Sequence, residues 1–411
     1  MYLIYSKKNV KFMINHKVDF IIVGGGIVGL CLANGLILQN WKVSLIEKND
    51  IPIFYKENFN TNFRVSAINL IVKKILKNFN IWEYLKNTGI GYYNKIYVWD
   101  SNSLGRIIMN AEDVNNKYLG YIISNVNIKY FLYKNLKSSK NFLGFFKTNY
   151  SYIRYQYGTW NVTLFKKIRI QGKILVGSDG FDSKIREILN IKTKIVKYHQ
   201  TAIITNIKTE ILHSNIAYQV FLETGPLAFL PLSYRKHYSI VWTLSTSKSE
   251  KILALNKKNI EKKLTNIFQK KLGKIQILSP LLTFPLCRHH VETYYSKQSI
   301  LIGDAAHVIH PLAGQGLNIG INDVIHFLQV IKEIKKRKRP LGLKSDLQRY
   351  EQKCYQTNNT MLHAMSTINT LFSNKNFYLR LFRSKGMNFI HSNFFLKSFL
   401  IYQAIGKNIC L

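Results

Sequence analysis

Three consecutive glycines closing a short apolar run restrict this chain more than any other feature. Val18 to Val23 is apolar and rich in β-branched residues, and it stops abruptly at Gly24-Gly25-Gly26. Such a run reads as a buried parallel strand. Ile27 to Gln39 then reads as a helix and Lys42 to Ile46 as a second strand, a βαβ opening. Gly24-Gly25-Gly26-Ile27-Val28-Gly29 fits GxGxxG at the strand-to-helix junction. In that pattern Gly24 makes the tight turn, Gly26 lets the backbone approach a pyrophosphate, and Gly29 allows close helix–strand packing. The amides and dipole at a helix start stabilise phosphate charge. Glu47, ending the second strand, stands where an acid holds a ribose hydroxyl. A lone GxGxxG is weak, because a glycine-rich turn can be purely structural. Strand, helix and acid together point to NAD or FAD, without deciding between them.

The same stretch imitates a membrane span, since Ile21 to Leu38 is uncharged over 18 residues, near the lower limit for crossing a bilayer. Its five glycines and Asn34 fit a soluble strand–turn–helix better. Further on, Ile68 to Lys86 has helical spacing, Ile96 to Trp99 and Arg106 to Met109 read as strands, and Asn127 to Leu136 as a helix. Residues 141 to 170 alternate like strands and lead into an apolar strand, Lys173 to Val176. From about Ile195 to Leu278 the pattern is β-rich, compatible with a second, antiparallel sheet. Ser299 to Ile302 is another buried strand, a helix follows near Gly320 to Lys335, and beyond Asp346 the chain reads as helical.

Composition excludes some functions and leaves others. With 47% hydrophobic and 19% charged residues the chain is not disordered. The net charge of +38 would suggest nucleic acid or an anionic surface. The basic residues are mostly Lys, spread along the chain with abundant Ile, Asn, Tyr and Phe, the mixture towards which an AT-rich genome drifts. The charge is therefore weak support for a nucleic-acid role, and none is expected. Cys31, Cys287, Cys354 and Cys410 form no metal-ligand spacing or disulfide framework, which fits a reducing cytosol and no metal. No signal peptide is visible. Met13 lies just ahead of the first strand, and residues 1–12 are expected to be dispensable.

Two more patches repeat the strand-then-glycine design. Lys173-Ile-Leu-Val-Gly-Ser-Asp-Gly180 is followed by Ser183 and Arg186. Leu301-Ile-Gly-Asp-Ala-Ala-His307 is followed by His310-Pro-Leu-Ala-Gly-Gln-Gly-Leu-Asn318 and a helix. Singly, each Asp reads as a helix cap and each Gly as a turn. Jointly, the three patches resemble the flavin-dependent aromatic hydroxylases of the p-hydroxybenzoate hydroxylase fold. The resemblance narrows to the ubiquinone-biosynthesis hydroxylases and covers the chain from Val18 onward. Arg64-Val-Ser-Ala-Ile-Asn69, Val98-Trp99-Asp100, Leu119-Gly120, Ala228-Phe-Leu-Pro-Leu-Ser233, Ser239-Ile-Val-Trp242 and Leu371-Phe-Ser373 look closest to the members acting on 2-octaprenylphenol.

The resemblance implies an α/β fold: a Rossmann-like FAD-binding domain, an inserted antiparallel-sheet substrate domain and a C-terminal helical region. The FAD-binding parts are expected at 13–90, 116–194 and 286–335, the substrate parts at 91–115 and 195–285, and the helical region at 345–411. It implies FAD contacts at Gly24, Gly26, Gly29, Glu47, Arg64, Asn125, Asp179, Gly180, Gly303, Asp304, Gly316, Leu317 and Asn318. Asp179-Gly180 would also serve NADPH, a transient co-substrate, since no second dinucleotide unit is visible. The helix start at Gly314-Gln315-Gly316 offers amides to the N1–C2=O edge of reduced flavin, and Pro311 would pack beside the ring and exclude water. Asp182 replaces the family's usual Asn, and an added carboxylate there would weaken coenzyme binding.

The activity implied is hydroxylation of a polyprenylphenol ring, 2-octaprenylphenol-like, by an FAD-dependent monooxygenase using NADPH and O₂. Sister hydroxylases acting on another ring position share these motifs. A catalytically eroded flavoprotein serving as a structural member of a biosynthetic complex is the non-enzyme alternative. No catalytic base is identified, because His307 and His310 read as loop-fixing histidines. The strands at 217–244 fit a prenyl-tail pocket or an ordinary sheet core. The aromatic, basic stretch Phe377 to Leu411 fits a membrane surface, a helical cap or a partner interface. The expected location is cytoplasmic, with contact to the inner membrane left open.

Overall fold

The computed structural model describes residues 14–54, 64–165, 167–309, 314, 316–374 and 376–407. Residues 1–13, and with them the expectation about residues 1–12, lie outside that set. The first sheet is organised around Ile14–Val23, which pairs in parallel with Val43–Ile46 on one side and Ile168–Gly177 on the other. Phe142–Phe145 extends it beyond Val43–Ile46, and Ser299–Leu301 lies beside Ile168–Gly177, both in parallel. Its central residues Phe20, Ile21 and Ile22 have no exposed surface, as expected of a parallel sheet covered on both faces. Helix Ile27–Leu38 packs into the same core as helix Gly316–Lys336.

The second sheet is built on the long strand Thr193–Thr209, which pairs antiparallel with His237–Ser245 and Leu282–Val291. The hairpin Lys95–Asp100 and Arg106–Asn110 joins it, because Lys95–Asp100 pairs in parallel with Ile216–Leu222. Segments distant in sequence thus share one sheet. A three-stranded sheet, Val65–Ile68, Gly120–Ser124 and Gly91–Tyr93, lies between these parts in the chain.

Two readings gain detail. The β-rich region from Ile195 to Leu278 holds the expected strands and also two helices, Thr246–Leu253 and Lys257–Leu272. Ile260, Leu264, Phe268 and Leu272 recur every fourth residue and are all buried against the second sheet, so a helical stripe sits among lysines that face solvent. Burying such side chains contributes roughly 1.5–3 kcal/mol each. The stretch Ile68 to Lys86 is two helices, Leu70–Asn78 and Trp82–Lys86, separated where Asn80 adopts a left-handed φ of 58°.

Three helices close the chain: Lys344–Ser373, Phe377–Ser392 and Phe394–Ala404. Arg383 anchors them. Its Nε donates to the buried carboxylate of Asp100 at 2.7 Å, and its Nη1 donates to the carbonyls of Leu371, Phe372 and Asn374. One guanidinium therefore ties the end of a helix to the hairpin of the second sheet. No helix among the described residues is long and apolar enough to cross a membrane.

Candidate active site

The glycines of the first turn divide by what surrounds them. Gly24 has φ +110°, and a Cβ there would stand 2.2 Å from the Ser178 carbonyl oxygen. Gly29 is pressed against the Gly24 carbonyl, where a Cβ would come within 2.1 Å. At Gly26 a Cβ would meet nothing within 4 Å. Gly26 is also the N-cap of Ile27–Leu38, and no side chain caps that helix. The result is a bare helix start in front of an open hollow, which an anionic group fits. Glu47 borders it: one carboxylate oxygen accepts from the Gly25 amide, and the other from the Asn49 amide at 2.8 Å and side-chain nitrogen at 2.6 Å.

The second patch is brought against the first by Ser178, whose hydroxyl donates to the carbonyls of Val23 and Gly24 at 3.0 and 2.9 Å. Asp179 turns inward. Its Oδ1 accepts from the Ser183 hydroxyl at 2.5 Å and its Oδ2 from the Ile185 amide at 3.1 Å, so it fixes the start of Lys184–Ile188. Gly180, at φ +90°, has open space where a Cβ would be. Asp182 is exposed and near enough to Cys287 to help raise that thiol's pKa, after burial. Arg186 joins this loop to the third patch by donating to the carbonyls of Phe181 and Ala305 at 2.8 and 2.9 Å.

In the third patch Gly303 has φ +58° and packs on Val28 of the first helix. Asp304 is an exposed residue, and no hydrogen bond to its carboxylate is made by the described residues. The protein around it desolvates the carboxyl and raises its pKa, against the opposing pull of His307 and Arg64. Arg64 is exposed and lies over the Phe284 ring at 5.4 Å. Asn125 is half-buried, its oxygen accepting from the Ser66 hydroxyl at 2.6 Å. Asn318 is buried and braces the loop after Val65–Ile68, accepting from the Asn69 amide and donating to the Ala67 carbonyl, each at 3.0 Å. Leu317 packs on the main core, while Gly316 is exposed with nothing near its Cβ position. Gly314, at φ +63°, faces Ala67. His310, Pro311 and Gln315 lie outside the described residues.

Beneath Asp304 is a buried polar network that sequence reasoning missed. Asp323 has no exposed surface; it accepts from the Gly303 amide at 2.9 Å, from His307 Nε2 at 2.6 Å and from Asn358 Nδ2 at 2.9 Å. Asn358 also donates to the Tyr294 hydroxyl at 2.8 Å, which lies 2.9 Å from His290 Nε2. Burial works against charge on both members of the His307–Asp323 pair. Their mutual attraction and hydrogen bond outweigh it, raising His307 and lowering Asp323. His307 is thus committed to holding the loop. His289, desolvated and beside Arg186 and His307, is pushed down to about 4 despite its contact at 2.8 Å with the Asp304 carbonyl. The sequence signal for the network was Asp323 itself, a charge on the buried stripe of Ile319 and Phe327.

Gly26, Gly180 and Gly316 leave backbone uncovered where the three patches meet, and among the described residues Asp304 has no hydrogen-bond donor on its carboxylate. These features fit an extended ligand with a pyrophosphate and hydroxyls, as FAD has. The apolar side chains of the strands at 217–244, including Val220, Leu227, Phe229 and Trp242, bury against helix Lys257–Leu272 as a sheet core. Among the described residues no cluster of ligating side chains could hold a metal ion.

Comparison with known proteins agrees with this geometry. A sequence profile described as "FAD binding domain" matches residues 147–364. An uncharacterized protein of Synechocystis, slr1300, is 31% identical over 340 residues, covering 82% of this chain and 80% of its own. The 3-demethoxyubiquinol 3-hydroxylase of Escherichia coli K12 is 27% identical, covering 96% of this chain and 100% of its own. The crystal structure of p-nitrophenol 4-monooxygenase PnpA from Pseudomonas putida shares the fold, with a TM-score of 0.77 at 14% identity over 96% of this chain and 100% of that one. The chain belongs to the FAD binding domain family and is an FAD-dependent monooxygenase.

Proposed function

We propose that the chain hydroxylates the ring of a polyprenylated phenol in ubiquinone biosynthesis, with NADPH and O₂ as co-substrates. The observation that carries this reading is its similarity, along nearly its whole length, to the 3-demethoxyubiquinol 3-hydroxylase. Bound FAD would accept a hydride and activate O₂ for insertion into an electron-rich ring. The chain's part is to hold and shield it. Gly26 and the bare start of Ile27–Leu38 would face the pyrophosphate, Glu47 the ribose and Asp304 the ribitol. Arg64, Asn125 and Gly180 would flank the cofactor, and Gly24, Gly29, Asp179 and Gly303 would shape the turns that bear it. At Gly314, Gly316, Leu317 and Asn318 the backbone of the helix start would stabilise negative charge on the reduced ring.

NADPH would visit transiently, with Asp182 opposing its phosphates. The expected substrate class is a 2-octaprenylphenol-like ring. Purified protein should be yellow and should consume NADPH and O₂ in step when given a short-chain prenylphenol, whose product gains one oxygen by mass. A bound flavin that NADPH never reduces would overturn this reading in favour of a structural role. Mass analysis of the quinone intermediate accumulating in a deletion strain would identify the ring position.

Asp304→Ala should weaken FAD retention by about 1–3 kcal/mol, the range of a charged hydrogen bond, which is roughly five- to 150-fold in affinity. The check is a flavin titration of the apoprotein. Unchanged affinity would leave Asp304 as a turn residue only.

A further inference from the structure

We infer that Gln219 selects and orients the substrate ring by a hydrogen bond to its oxygen, in a slot across one face of the second sheet. Paired residues on neighbouring strands share a face, so the register lays out one row across six strands. Val98 stands beside Gln219, Gln219 opposite Ala228, and Ala228 opposite Val241. Val241 is in turn opposite Ile204, and Ile204 opposite Leu282. All of these are partly exposed. The rows on either side are covered: Ala217, Ser239 and Asn206 are buried in one direction, and Phe221, Thr243 and Ala202 in the other. The alternate residues Val220, Leu227, Trp242 and Ile203 point the opposite way, into the core with helix Lys257–Leu272. What remains is a slot one row wide with closed flanks.

Each flank connects to the cofactor site. Ala217 belongs to the apolar cluster that holds Ala67, and Ala67 faces Gly314 at the helix start. On the other flank Ala202 is opposite Phe284, whose ring lies beneath Arg64, and Phe221 is covered by Phe372 stacked at 3.7 Å. Apart from Gln219, every side chain in the row is apolar. Among the described residues nothing hydrogen-bonds its amide. A polar group set in apolar surroundings is ordinarily paired, and small-molecule sites are mostly apolar with a few placed polar groups. An amide accepts through Oε1 and donates through Nε2. It therefore matches a phenolic oxygen that carries its proton and one that has lost it, while the rest of the row meets the ring and its hydrocarbon substituent. The assignment rests on the function proposed above and deepens it by naming the residue that recognises the ring.

The test uses the full-length holoprotein with ortho-prenylphenol and with prenylbenzene, the same molecule without the ring oxygen, and reads binding by calorimetry. The wild type should bind the phenol about five- to tenfold more tightly than prenylbenzene, the discrimination that one hydrogen bond supports. Gln219→Met keeps the length of the side chain and removes the amide. It should retain flavin and melting temperature, bind prenylbenzene as the wild type does, and lose the preference for the phenol. Ala228→Phe, which fills the slot, should weaken both ligands alike, because its obstruction is steric. A Gln219→Met protein that still prefers the phenol, or a wild type that does not distinguish the two ligands, would overturn the inference. So would an Ala228→Phe protein that binds both normally. Oxygen insertion into the phenol by the wild type tests the proposed function separately. Turnover with an unchanged preference in Gln219→Met removes the role of Gln219 alone, whereas a preference without turnover removes the proposed function alone.

Discussion

Asp323→Ala is expected to cost about 3–5 kcal/mol of folding stability, the usual penalty for leaving a buried charge without its partner. The substitution strands His307 and the amide of Gly303, and it frees the Asn358 side chain that reaches in from helix Lys344–Ser373. Flavin should be lost as well, because the turn that carries Asp304 hangs from that amide. Denaturant unfolding followed by tryptophan fluorescence gives the first number, and flavin released on gel filtration gives the second. A loss below about 1 kcal/mol would show that water or a rotated loop replaces the carboxylate.

The same pair makes stability depend on pH in a definite sense. His307 is raised above its ordinary value of 6.5, so its contribution is complete below that pH and is lost as pH rises through the folded value. Asp323 is lowered below 3.8, so its contribution is present above that pH and is lost as pH falls through the folded value. The pair therefore stabilises fully between those limits. In the Asp323→Ala protein the plateau should disappear, and the gap between wild-type and variant stabilities should narrow at both ends of the range, where the ion pair is lost.

Gly26→Val is expected to give a folded, colourless protein. A Cβ there would meet nothing within 4 Å, and the backbone, at φ −68° and ψ 175°, suits any residue. What the side chain would fill is the hollow in front of the helix start, displacing the pyrophosphate. Gly29→Ala should fail differently. Its Cβ would stand 2.1 Å from the Gly24 carbonyl oxygen and 2.6 Å from the Ser178 hydroxyl, an overpacking that costs typically about 1–3 kcal/mol. Melting temperature and the ratio of visible to ultraviolet absorbance separate the two: Gly26→Val loses colour with its melting temperature intact, and Gly29→Ala loses melting temperature first. Full flavin occupancy in Gly26→Val would remove the pyrophosphate from this turn.

These two positions also show what a sequence makes legible. Gly24, Gly26 and Gly29 were readable because a backbone that must turn, stay bare or pack closely can be met by only one residue type, and the strand and acid on either side remove the ambiguity. Asp179 was less readable, since capping a helix and holding a ligand call for the same carboxylate, and here both its oxygens are used within the loop. Asp323 was passed over because its meaning depends on partners at Gly303, His307 and Asn358, brought together by three separate elements. Helix Lys257–Leu272 was hidden for a different reason. Its apolar stripe is narrow and set among lysines, and the strong β-branched runs on either side of it dominated the local pattern.

Arg383 and Asp100 meet across 283 positions of chain, which gives the contact a place in time. During synthesis the hairpin Lys95–Asp100 and Arg106–Asn110 emerges early, then waits for Ile216–Leu222 before it has a neighbouring strand. Asp100 waits longer. At about 5–20 residues per second its cation reaches it only after roughly tens of seconds. Until then the carboxylate must stay hydrated, so the hairpin cannot seal. The last helices therefore act as a latch on a sheet begun far upstream, and a nascent chain stopped before Arg383 is left with an open seam for chaperones to guard.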